Sequence, residues 1–137
     1  MRAKEYLLQY GKALHEKEDA LAELEEKRQS LAGLHAIQLT DMPKAKNHLR
    51  DLSDAFAVLE DSAKRCSDII IAAEETMRNI SLTVQRVPDP AAREVLHCKY
   101  IRGYSWREIM LTTGHSRTWA HYAHKEGLKI IDELLDS

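Results

Sequence analysis

Apolar residues recur three and four positions apart over most of the chain, the spacing of helices that bury one face. Between residues 2 and 32 the series runs Leu7, Tyr10, Leu14, Lys17, Leu21, Leu24, Arg28, Leu31, with six of its eight positions apolar. This is the alternating three-four repeat of a coiled-coil seam, interrupted at Lys17 and Arg28. Glu16, Glu18, Glu23, Glu25, Glu26 and Lys27 fall between these positions and predict a solvated side. Gly33 suits a left-handed C-cap, which predicts the end of this helix. Residues 34–42 read as a connection, with Thr40 or Asp41 as the next cap and Pro43 in the first turn, where its missing N–H costs nothing.

A second run covers residues 43–87. Leu49, Leu52, Phe56, Leu59, Ala63, Cys66, Ile70, Ala73, Met77, Ile80, Val84 and Val87 form one heptad series in which all twelve positions are apolar or small. The shorter first helix cannot cover a stripe of that length. A second copy of the chain, or the C-terminal domain, is expected to cover the rest, and any part left uncovered predicts self-association, as a homodimer through the N-terminal helices.

Pro88 ends the second run, because proline disfavours helical geometry in the residue before it. Asp89 and Pro90 then supply a cap and a first helical position. The remaining residues predict three helices. The first, over about 90–102, turns Val95, Leu96, Tyr100 and Ile101 inward and stops at Gly103. Ser105, Trp106, Arg107 and Glu108 read as a capping box for a short second helix. That helix ends near Gly114, which tolerates a positive φ. Ser116 caps the third, which runs to about residue 135. A short helix, a turn with glycine and a following helix are the parts of a helix-turn-helix. The expected fold is therefore all-α: a long antiparallel coiled-coil hairpin (1–87), then a three-helix helix-turn-helix domain (88–137).

In the last helix Ala120, Ala123, Gly127, Leu128, Ile131 and Leu134 form the inner stripe. The outer side holds Arg117, Thr118, His121, Tyr122 and Lys125, with Ser116 at its start. Arginine pairs bidentately with guanine, and threonine bonds to bases or touches a thymine methyl. Lys125 suits a phosphate, as do Arg102 and Arg107 at the start of the bracing helix. These eight residues are the expected DNA-binding set.

Composition fits this picture. The chain has 137 residues, 31% charged and only 6% aromatic, with 5 Gly and 3 Pro, a balance that favours long helices. Net charge is -2, yet residues 88–125 hold six basic and three acidic side chains, so positive charge concentrates where the DNA face is expected. No signal-like leader and no membrane-length apolar stretch is present, which predicts a cytoplasmic protein without membrane contact. Cys66 and Cys98 lack metal or redox spacing and read as small buried apolar residues. His97, His115, His121 and His124 match no zinc pattern in the absence of paired cysteines. Phosphate-loop, nucleophile-elbow and zinc-protease motifs are missing, so neither an enzymatic site nor a cofactor is expected.

Residues 93–131 resemble region 4 of sigma-70-type factors and, more closely, the ArpU/RinA-like phage and prophage transcriptional regulators. Leu96, Tyr100 and Ile101, Ser105 and Trp106, Glu108 and Ile109, Gly114, Ser116, His124 and Leu128 carry the likeness. Leu39, Thr40, Asp41, Met42, Pro43 and Lys44 are similar to a short connection in that family, which also has an N-terminal coiled-coil segment. Met110, Thr113, Trp119, Ala120 and Gly127 depart from its pattern. The resemblance implies sequence-specific binding of double-stranded DNA and control of phage or prophage genes, as an activator or a sigma-like accessory factor. Two other functions fit the same parts. One is a small-terminase-like packaging protein, although the usual order of its units is reversed here. The other is an interaction module that binds RNA polymerase or a sigma factor through the hairpin.

Overall fold

A computed structural model of the chain describes residues 2–40 and 46–137, with side chains for 2–36 and 50–137. Among the described residues every regular element is helical: α1 (Arg2–Thr40), α2 (Lys46–Gln85), α3 (Pro90–Leu96) leading into a π turn (His97–Ile101), α4 (Trp106–Thr113) and α5 (Arg117–Asp136). No helix among them is long and apolar enough to cross a membrane. Asp41, expected as a cap, and Pro43, expected in the first turn, lie outside the described residues, and Thr40 falls within α1. The chain forms two compact units, one of residues 16–73 and one that joins residues 1–15 to 74–137.

The unit of residues 16–73 is a helix pair. Ala20 and Leu24 of α1 are buried with Cys66 and Ile70 of α2, beside Ala63. Farther along α1, the His35 ring meets Phe56 at 4.7 Å. As α1 advances its partner positions on α2 fall, so the two helices run antiparallel.

Two expectations about α1 need correction here. Gly33 does not end the helix, because α1 continues to Thr40 and Gly33 has no positive φ. A helical glycine costs only about 1 kcal/mol relative to alanine. The turn beyond it brings half-buried Leu34 and the His35 contact into the pair, which offsets that cost. The seam keeps Leu7, Tyr10, Lys17, Leu24 and Leu31 of the expected series, but at alternate positions it runs one residue earlier. Ala20 is 4% exposed while Leu21 is 45% exposed, and Lys27 is half-buried while Arg28 lies outside. Small side chains let two backbones come close, so the alanines take the inside and the bulkier leucine is left at the edge. Every heptad position of the second run from Leu52 to Val87 is buried or half-buried, and C-terminal residues cover its end at Ile80, Val84 and Val87, so the stripe is not left open.

In the other unit two apolar clusters share α3. Leu96 and Tyr100 face Ala3 and Leu7 of α1, Ile80 and Val84 of α2, and Leu128 and Ile131 of α5. Val95 and Cys98 face Ile109 of α4 and Ala120 and Ala123 of α5. Burial also pushes the Cys98 thiol up, which keeps it a neutral packing group. Gly127 lets α5 pass close to α3: a Cβ there would lie 2.8 Å from Leu96 Cδ1.

Polar groups at helix ends fix this arrangement. Asp132 of α5 accepts the Ala3 N–H at 2.8 Å, supplying a carboxylate to the N-terminus of α1, where the helix dipole favours it. Arg2 also pairs with Asp136. Arg93 donates to the Val87 carbonyl at 3.1 Å, so this arginine of the basic stretch holds the end of α2.

Candidate nucleic-acid interface

Local signals place the ends of α4 and α5. Ser105 Oγ accepts the Glu108 N–H at 3.2 Å. Its own hydroxyl donates to Glu108 Oε1 at 3.1 Å, so the glutamate closes the box on the serine side chain rather than on its backbone. The first of the three C-terminal helices departs from the expected single α-helix over 90–102. It widens into the π turn, where Arg102 N–H reaches the His97 carbonyl at 3.0 Å. Gly103 and Gly114 both take φ of 71°, the left-handed geometry that reverses the chain after the π turn and after α4. Ser116 Oγ accepts the Trp119 N–H at 3.1 Å and starts α5.

The inner stripe of α5 is where its spacing predicts. Ala120, Ala123, Gly127, Leu128 and Ile131 are buried and Leu134 is half-buried. Arg117, Thr118, His121, Tyr122 and Lys125 all lie on the exposed side, with Tyr122 66% exposed. The first turn of α5 contains no acidic residue. Ser116 is exposed, but its hydroxyl is committed to the cap. Arg107 is exposed on α4, and Arg102 closes the π turn with its guanidinium 5.7 Å from the Tyr104 ring centre. The set thus divides into six residues at or on the start of α5 and two arginines on other elements.

Histidines and tryptophans build the rest of the surface. The His115 ring stacks on Trp119 at 3.8 Å and 15°. Trp106 holds His121 at 4.0 Å and meets the edge of His124 at 5.1 Å. Lys99 Nζ stands 4.8 Å over the same indole. Neither His115 nor Lys99 was in the expected set. The four-residue step from His115 to Trp119 is a signal that sequence offers, but nothing local joins Lys99 or His121 to Trp106. Groups of three or more histidine, cysteine and carboxylate side chains able to hold a metal are absent among the described residues.

His124 sits behind this surface. Its Nε2 is hydrogen-bonded to the Tyr100 hydroxyl at 2.7 Å. Burial, with His121, Lys4 and Lys99 nearby, pushes its pKa down to about 4. Folding therefore favours the neutral imidazole, while the unfolded chain takes up a proton near the ordinary value. The contribution is complete above about pH 6.5 and is lost as pH falls toward about 4. Discounted for partial exposure, the loss is about 2 kcal/mol. Urea unfolding at pH 7.5 and pH 4.5 checks this. His124→Gln is expected to shrink the difference between the two pH values, and an unchanged difference would refute the assignment.

The chain matches no protein-family model, no curated protein and no solved structure.

Proposed function

We propose that this protein is a sequence-specific DNA-binding transcriptional regulator of the phage or prophage type. In this reading α4, the Gly114 turn and α5 act as a helix-turn-helix, and α5 presents its outer side to the major groove. The carrying observation is the exposed face of Arg117, Thr118, His121, Tyr122 and Lys125 on a helix whose other face is buried. Among the described residues neither Arg117 nor Lys125 forms an ion pair with a carboxylate. Charge supports the reading as well. The unit of residues 1–15 and 74–137 holds twelve basic and ten acidic residues, a balance of +2, against eight and twelve, a balance of -4, in residues 16–73. The resemblance of residues 93–131 to ArpU/RinA-like regulators points the same way and implies an activator or a sigma-like accessory factor.

Binding to duplex DNA, followed by fluorescence anisotropy, tests this. Each neutralised phosphate contributes a slope of roughly -0.9 to the plot of log affinity against log salt. Arg102, Arg107 and Lys125 as phosphate contacts give a slope of about -3. A flat salt response, or no binding at low salt, would overturn the reading.

Self-association through the long helices belongs to the same proposal. Val58, Ile69 and Ile71 of α2 are large apolar side chains left exposed by α1. Sedimentation equilibrium is expected to give a dimer, and a monomer at high concentration would rule it out.

A further inference from the structure

We propose that His115 and His121 are phosphate-contacting residues of this DNA site, that Trp119 and Trp106 position them, and that DNA binding consequently takes up protons. The inference rests on the DNA-binding reading above.

Geometry carries the argument. An exposed histidine ordinarily samples several rotamers and loses that freedom on binding a ligand. Here each ring rests against an indole, His115 stacked at 3.8 Å and His121 tilted by 33° at 4.0 Å between centroids. Stacking occupies a ring face and leaves the nitrogen-bearing edge for a partner. An indole face also attracts a cation, so both platforms suit a charged imidazole, and Lys99 already uses one of them. Both histidines are exposed, one just before the cap of α5 and one on its second turn, beside the Arg117 and Thr118 face.

The surrounding charges explain why a phosphate would draw in a proton. Around His121 stand Lys99 from the π turn, His124 on α5, and Lys4 of α1 acting on His124. Arg117 and Lys125 lie one turn to either side on α5, and Arg117 is also two residues from His115. Glu108, the one carboxylate of α4, is hydrogen-bonded to Ser105. Neither histidine has an ion-paired carboxylate among the described residues. A DNA phosphate brings the missing negative charge, and histidine is the side chain whose charge answers such a change near neutral pH.

A fluorescein-labelled random-sequence duplex serves as the probe, at constant salt between pH 8 and pH 6. Affinity of the wild-type protein is expected to rise about tenfold over that range, a modest fraction of the maximum for two linked protons. His115→Gln and His121→Gln keep an amide donor but cannot gain charge. Each is expected to reduce the rise to about threefold, and the double variant to abolish it. His124 remains in every variant, so its acid sensitivity cancels in the comparison. Trp119→Leu should behave like His115→Gln, and Trp119→Phe should restore the pH response because a ring remains to stack on. Trp119 is half-buried, so a thermal melt accompanies those two variants; the exposed histidine variants carry the test if they fail to fold. Salt-dependent binding whose pH response survives in the double histidine variant would overturn this inference and leave the DNA-binding reading standing. No binding at low salt and pH 6 would remove both.

Discussion

Leu96→Ala is expected to lower the free energy of unfolding by about 3 kcal/mol, within the roughly 2–5 kcal/mol range for truncating a buried leucine. Leu96 has no exposed surface and lies where α1, α2, α3 and α5 meet, so no neighbour can close the cavity without moving a helix. Total stability of a domain is commonly about 5–15 kcal/mol, which makes this a large fraction of it. Gly127 makes the prediction specific. A Cβ at that position meets Leu96 Cδ1 at 2.8 Å and Cγ at 2.9 Å. Gly127→Ala alone gains up to about 1 kcal/mol of helix propensity and loses about 1–3 kcal/mol to overpacking, so a net loss of about 1 kcal/mol is expected. In the Leu96→Ala background the obstructing side chain is gone. There the same substitution should stabilise by about 1 kcal/mol, because the added methyl enters the cavity at no steric cost. Urea melts of the four proteins measure this coupling. Additive losses would show that α3 and α5 do not meet through this pair.

Arg117→Ala carries the largest expected effect on binding, a loss of about 1–3 kcal/mol on a cognate site, the range for a bidentate base contact. Its effect on the free protein should be nil or slightly favourable. Arg117 is the first residue of α5, where the helix dipole disfavours a cation by a few tenths of a kcal/mol, and no carboxylate in the first turn compensates. An exposed, unpaired arginine at that end does little for folding. Anisotropy titrations on cognate and random duplexes separate the two kinds of contact. A loss confined to the cognate duplex assigns Arg117 to a base edge, an equal loss on both assigns it to a phosphate, and no loss on either removes it from the interface. Thermal melts of the variant should superimpose on those of the wild type.

Much of this chain was legible because its signals are short-range. The heptad of α2, the caps at Asp89, Ser105 and Ser116, the left-handed glycines at 103 and 114 and the small-residue stripe of α5 each depend on residues within one or two helical turns, and the folded chain keeps them. Position on the outer side of α5 followed from the same periodicity. The end of α1 did not, because glycine only weakens a helix and packing of Leu34 and His35 carries it onward. Alternate positions of the α1 seam did not either. Two registers one residue apart are both apolar there, and the close approach of α2 selects the alanines.

Sequence by itself determined where most of each helix lies and which face of each well-patterned helix turns inward, since both follow from backbone spacing and local hydrogen bonds. Tertiary structure alone decided that Asp132 caps α1, that Gly127 admits Leu96, and that Lys99 and His121 share the Trp106 indole. Those contacts join residues far apart along the chain, and only the packing of helices against one another brings their side chains within reach.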